Sequence, residues 1–154
     1  MDNRSLNNLN TLHPKLRDAA ITAWTEAQAA MPANVQIIVT QGLRTFAESN
    51  ALYAQGRTAP GPIVTKAVAG QSYHNYGLAW DFAMLTNGKE DWVVGPHWMK
   101  VVAVMEAHGM FWGGRFKSIV DNPHFENRFG HTWQDLLALH NAQKFIPGTE
   151  YVII

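Results

Sequence analysis

Cysteine is absent from the 154-residue chain. That excludes disulfide frameworks, thiolate-bound zinc, iron–sulfur clusters and thiol nucleophiles, and it leaves the redox compartment open. Charge is also sparse. Asp, Glu, Lys and Arg make up 16% of the residues, against roughly 25% in an ordinary domain. The 12 basic and 12 acidic side chains cancel to a formal net charge of zero. Bulk charge therefore offers no attraction to nucleic acid or to an anionic membrane. No window approaches the ~18 continuous apolar residues of a membrane-spanning helix. The opening MDNRSLNNLNTLHPKLRD holds no apolar stretch of signal-peptide length. The expectation is synthesis in the cytoplasm of a host cell, with release or export by another route if the target lies outside. Repeats, low-complexity tracts and long linkers are missing as well. The longest turn-rich stretch, Gly56 to Pro62, is too short to separate domains.

Hydrophobic residues make up 47% of the chain, and six of them are tryptophan. A chain of this length buries about two-thirds of its unfolded surface, so it needs neither a disulfide nor a metal to fold. Any metal it binds then serves chemistry. The expectation is one compact domain over residues 1–154.

The coarse pattern alternates helices with short strands. Pro14 suits a first helical turn. Leu16, Ala20, Trp24, Ala27 and Met31 recur at helical spacing, so a helix is expected from about Asn10–Pro14 to Met31. Val35 to Thr40 reads as a buried strand. Thr45 and Glu48 form a capping-box pattern ahead of a helix that stops at Gly56. Leu78 to Leu85 reads as a strand leading into an Asn87-Gly88 turn. Pro96 begins a helix closed by Gly109. Short strands are expected at Met110–Trp112 and Pro123–Phe125, around Gly113-Gly114, with a last helix over Thr132–Gln143. The class is α+β, a small antiparallel sheet with helices packed around it.

Without cysteine, a zinc site must draw on His, Asp and Glu. Five of the seven histidines have plain structural readings. His13, ahead of Pro14, reads as a surface residue. His108 sits at a helix C-terminus, where a cation is favourable. His97, His131 and His140 lie at element starts or among polar neighbours. His74 and His124 differ. His74 lies in Ser72-Tyr73-His74-Asn75-Tyr76-Gly77-Leu78-Ala79-Trp80-Asp81. Asp81, between Trp80 and Phe82, is costly to bury unless it is paired or on a metal. His124 lies in Asp121-Asn122-Pro123-His124-Phe125-Glu126. On spacing alone, His-x6-Asp with a distant His permits a metal site without requiring one. The acidic pair Glu90-Asp91 reads as a solvated loop rather than a calcium site.

Ser72 to Asp81 fits Ser-x-His-x-x-Gly-x-Ala-x-Asp, and Asp121-x-x-His124 follows. Together with Arg44 after the first strand, this order resembles the zinc peptidases that cut peptidoglycan stem peptides. Those include D-Ala-D-Ala carboxypeptidases and dipeptidases and phage L-alanyl-D-glutamate endopeptidases. The phrases HNYGLAWDFA and WGGRFKS…DNPHFE are most similar to the endolysin branch. The resemblance implies Zn2+ on His74, Asp81 and His124, with the fourth tetrahedral position open for water in a cleft. It implies Asp121 as general base, where the family often has Glu. It also implies that Arg44 anchors a stem-peptide carboxylate by a forked contact, and that Ser72 bonds substrate or positions a ligand. Glu126 is a rival base, or a group that orients a ligand imidazole. Trp112, Gly113 and Gly114 are candidates for a cleft wall, and Tyr73 and Tyr76 border the His74 turn.

The function expected on this resemblance is zinc-dependent hydrolysis of L-Ala–D-Glu, an endolysin-like cell-wall lysis by a monomer acting on the peptidoglycan stem peptide. The alternatives are a D-Ala-D-Ala carboxypeptidase or dipeptidase, and a non-catalytic zinc-stabilised wall-binding module. Neither a nucleic-acid partner nor membrane insertion is expected.

Overall fold

Strand pairing decides what the sequence pattern leaves open. In the computed structural model, which describes residues 2–154, five antiparallel strands form one sheet in the order β1-β2-β5-β4, with β3 pairing on β2. The strands are β1 (Val35–Gln41), β2 (Ala79–Thr86), β3 (Lys89–Glu90), β4 (Phe111–Trp112) and β5 (His124–Glu126). The helices are α1 (Asn3–Asn10), α2 (Pro14–Ala29), α3 (Phe46–Ala54), α4 (Pro96–Ala107) and α5 (Trp133–Asn141). The expected α+β class holds, with its small antiparallel sheet. Among the described residues, no helix is long and apolar enough to cross a membrane.

Side-chain alternation sorts the sheet into two faces. Trp80, Phe82 and Met84 of β2 join Ile37, Val39, Trp112 and Phe125 in a core with Leu16, Trp24, Trp98, Val102 and Met105 of α2 and α4. Asp81 lies between two of these core residues in sequence, so it points to the opposite face. A second, smaller core of Tyr76, Leu78, Leu136 and Val152 lies by α5 and the C-terminal segment. Asn87 and Gly88, both at positive φ, turn β2 into β3, as an Asn-Gly pair favours. Asp91 then braces that hairpin, accepting from Thr86 Oγ1 at 2.7 Å and from Val93 N at 3.1 Å. This is a structural role for the acidic pair.

Two expectations need correction at the N-terminal end. The helix expected to open within Asn10–Pro14 starts at Pro14 as α2, but a separate helix, α1, capped by Asp2 and ending at Thr11, precedes it where none was expected. His13 is the N-cap of α2 and is 2% exposed, not a surface residue. Its Nδ1 accepts from Lys15 N at 3.0 Å, which leaves Nε2–H to donate to the Val152 carbonyl at 2.8 Å. The side chain ties the C-terminal segment to α2.

Candidate metal centre

The polar face of the sheet gathers three of the residues singled out by sequence. Asp81 on β2 pairs in register with His124 on β5 and with Gln41 on β1. The β1–β2 register shifts between Val39 and Gln41, a bulge that re-aims the strand end beside the site. His74 arrives from a one-turn 3-10 segment, Tyr73–Tyr76. Ser72 caps that segment, its Oγ accepting from His74 N at 3.2 Å. Asn75 anchors it: Nδ2 donates to Arg44 O at 2.9 Å and to Ser49 Oγ at 2.8 Å, and Oδ1 accepts from Gly70 N at 3.0 Å. Asn75 was not singled out by sequence, although it lies inside the motif.

One ligand-capable atom from each of His74, Asp81 and His124 lies within 4.8 Å of the others, the one such group among the described residues. Asp81 Oδ1 is 3.3 Å from His74 Nε2 and 3.1 Å from His124 Nδ1. Ligands on a tetrahedral zinc with bonds of 2.0–2.1 Å sit ~3.4 Å apart, so these separations match two edges of that tetrahedron.

The outer partners settle the ring orientations. His74 Nδ1 is 2.9 Å from the Gly42 carbonyl, and His124 Nε2 is 2.8 Å from Glu126 Oε1. A carbonyl and a carboxylate only accept, so each outer nitrogen carries the proton. In the neutral rings, His74 Nε2 and His124 Nδ1 are then lone pairs aimed at a carboxylate oxygen. Three acceptors facing one another need a cation between them, and the donor set fits zinc.

Electrostatics express the same conflict in the metal-free protein. Burial works to raise the Asp81 carboxyl, but hydrogen bonds and charge from His124 and His74 outweigh it and hold the group well below the usual carboxylate range. Burial works to lower His124, but Asp81 and Glu126 push it up to about 9. With no metal bound, a proton on His124 supplies the positive charge between the two carboxylates.

Asp121 stands at the edge of this cluster. Its Oδ2 is 3.7 Å from His124 Nδ1, and its side chain is 48% exposed. Burial of the carboxyl raises its pKa, and Asp81 adds to this against the opposing pull of His124, His74 and Arg44. Glu126 is 2% exposed and contacts the other nitrogen of the His124 ring, with Arg128 on its second oxygen. The two candidate bases therefore face opposite sides of one imidazole, and only Asp121 lies on the side that faces His74 and Asp81.

Backbone contacts hold the two halves together. Arg44 N donates to His74 O at 3.0 Å, which sets the arginine beside the His74 turn. Its Nη2 donates to Gln41 Oε1 at 2.5 Å, and its Nε is buried without an acceptor. Gly113 O accepts from Asp121 N at 3.0 Å. A Cβ on Gly113 would lie 2.3 Å from Asp121 O and 3.0 Å from His124 Cβ, so only glycine permits this approach. Trp112 faces the core and donates from Nε1 to Asn122 O at 2.7 Å. It supports the loop that carries Asp121 rather than forming a cleft wall. The remaining histidines lie outside the cluster. His108 bonds Glu26 at 2.7 Å, and His140 stacks on Phe46 at 4.2 Å.

Comparison with known proteins adds three findings. The M15 peptidase family described as D-alanyl-D-alanine carboxypeptidase matches residues 65–127, the stretch that carries His74, Asp81, Asp121 and His124. The peptidoglycan L-alanyl-D-glutamate endopeptidase CwlK of Bacillus subtilis (strain 168) is 39% identical over an alignment 132 residues long, and the match covers 75% of this chain and 72% of that protein. The crystal structure of the Serratia marcescens L-Ala D-Glu endopeptidase ChiX shares the fold, with a TM-score of 0.58 at 23% identity. That match covers 84% of this chain and 90% of the other.

Proposed function

Because this chain belongs to the M15 peptidase family, we propose that it is a zinc metallopeptidase that cuts the peptidoglycan stem peptide at the L-Ala–D-Glu bond. The observation that carries this reading is the triad of His74 Nε2, Asp81 Oδ1 and His124 Nδ1. Three ligand-capable atoms converge there, and the outer nitrogen of each imidazole is engaged by an acceptor. The named activity of CwlK supports the choice of bond.

In this reading His74, Asp81 and His124 hold the zinc. When bound, zinc polarises a carbonyl and brings the pKa of water down to about 7. Asp121 is the general base. It is half-exposed, so water and substrate reach it. It takes a proton from the attacking water and passes it to the leaving amine of D-Glu. Arg44 holds a free carboxylate of the stem peptide. Its guanidinium keeps spare donors, and its backbone is bonded to the His74 turn. Ser72 acts on the substrate side only through the turn it caps. An endolysin-like role, with a monomer delivered to the wall by release or export, belongs to the same proposal.

Mass spectrometry of purified peptidoglycan digested by the protein tests the activity, with a chelator control. New D-Glu amino termini, abolished by chelation and restored by zinc, are expected. Released D-Ala would instead establish a carboxypeptidase, and no product would refute hydrolysis and favour a wall-binding module. Two variants test the roles. Asp121→Ala should keep zinc and lose about 10²–10⁴-fold in turnover, whereas His74→Ala should lose zinc. A near-normal rate in Asp121→Ala alongside a dead Glu126→Ala would transfer the base to Glu126.

A further inference from the structure

Glu126 and Arg128 have no part in the proposed proton transfer, yet they form an ion pair whose carboxylate is almost wholly buried while the guanidinium is half-exposed. Glu126 is 2% exposed, and both of its oxygens are engaged: Oε1 with His124 Nε2 at 2.8 Å, and Oε2 with Arg128 Nε. Burying a carboxylate is a poor way to stabilise a fold, because desolvation offsets much of the attraction its partners return. The placement of this one asks for another explanation.

Three observations converge on it. The histidine partners are unequal. His74 is oriented by a backbone carbonyl, Gly42 O, fixed by the fold, whereas His124 is oriented by a carboxylate on a rotatable side chain. Without that acceptor nothing fixes the proton on Nε2, and the ring is free to present an N–H to the cluster instead of a lone pair. Next, Glu126 is itself steadied by Arg128. Finally, the Arg128 guanidinium lies over the Tyr73 ring, 4.2 Å from its centroid, within the range of a cation–π contact. Tyr73 opens the 3-10 turn that carries His74. The chain of contacts therefore runs from one candidate ligand to the segment bearing another: His124, Glu126, Arg128, Tyr73, His74.

We infer that Glu126 and Arg128 are positioning residues that brace both imidazoles for the metal, Glu126 by fixing the His124 tautomer and Arg128 by tying that carboxylate to the His74 turn. The inference rests on the metal-site reading above and goes beyond it, since it assigns metal affinity to a side chain that touches no ligand. Arg128 is 49% exposed on its side chain and by position alone reads as an ordinary surface residue.

The test is a competition titration of Zn2+ against a chelating dye on stripped wild-type protein, Glu126→Ala, Glu126→Gln, Arg128→Ala and the double alanine variant. Visible spectra of the Co2+-loaded proteins run in parallel. Loss of such an outer partner costs about 10–100-fold in metal affinity. Glu126→Ala should fall in that range and Arg128→Ala near its lower end. Glu126→Gln should lie between Glu126→Ala and wild type, because its amide oxygen still accepts from His124 Nε2–H. The double variant should be little weaker than Glu126→Ala, because Arg128 acts through Glu126. The cobalt bands should change in both single alanine variants. Folded variants with wild-type zinc affinity and superposable cobalt spectra would overturn the inference. Arg128→Ala, at a half-exposed position, carries the test if Glu126→Ala does not fold. The titration uses no substrate. A protein that shows these zinc losses yet leaves peptidoglycan uncut would support the brace while refuting the peptidase reading. A wild-type protein that binds no zinc would overturn both.

Discussion

Stripping the metal should make the fold sensitive to alkali over a defined window. In the metal-free protein His124 sits between Asp81 and Glu126. Although burial opposes its charge, the two carboxylates lift its pKa from 6.5 to about 9. A folded-state pKa above the unfolded value means that the native protein binds the extra proton. The stabilisation is fully present below 6.5 and is lost as the pH rises through about 9. At about 1.4 kcal/mol per pH unit, the loss approaches ~3 kcal/mol, a large fraction of a typical domain's stability. Asp81 and Glu126, both pushed upward by burial and more strongly downward by their hydrogen-bond partners, act only at acid pH. His13, lowered by burial, acts below 6.5. Burial raises Tyr73 and Tyr76 above 10.

The same proton competes with zinc. At neutral pH His124 is largely protonated in the metal-free protein, so binding must expel a proton. Zinc affinity should rise about tenfold per pH unit up to about pH 9 and then level off. Urea unfolding of chelated protein from pH 6.5 to 9.5 measures the first effect. Calorimetric zinc titrations in buffers of different ionisation enthalpy count the proton. Metal-free stability that holds constant or rises across the window, or zinc affinity that is flat between pH 7 and 8.5, would refute the argument.

Gly113→Ala should cost about 1–3 kcal/mol and weaken both zinc binding and turnover, because its new Cβ meets backbone at Asp121 O rather than a flexible side chain. Thermal melting with a zinc titration checks this, and wild-type values in both would contradict the close approach. His13→Ala should lower urea stability by about 1–3 kcal/mol, since it leaves the Val152 carbonyl unsatisfied in a buried setting. Limited proteolysis should then reach the C-terminal segment first.

Local signals in the sequence were strong wherever chemistry is local. Thr45 with Glu48 forms the expected capping box, Asn87-Gly88 makes the expected turn, and Pro96 and Gly109 bound α4 as read. Each device acts within a few residues, so no distant contact can overrule it. His13 failed for the converse reason. Its partner, Val152, is 139 residues away, and no pattern near Pro14 announces it. Helix α1 was hidden because the polar run Asn3–Asn10 carries little apolar periodicity, and Thr11 after it is held by a distant contact, its Oγ1 accepting from Leu43 N at 2.9 Å.

The candidate site shows the same division at finer grain. Residue types and their order mark His74, Asp81 and His124, but only the pairing of Asp81 with His124 across β2 and β5 brings distant segments to one face. The direction in which Glu126 points was legible in outline, since strand alternation puts it on the face of His124. Its role was not, because a base and an orienting group differ only in which ring nitrogen they meet. Glu126 meets Nε2 at 2.8 Å, and Asp121 approaches Nδ1 at 3.7 Å. A carboxylate behind the ring, dry and already bonded twice, has no path to an attacking water. One in front of it, half-exposed, does. On the proposed reading, that separation of the two carboxylates by a single imidazole is what divides positioning from proton transfer.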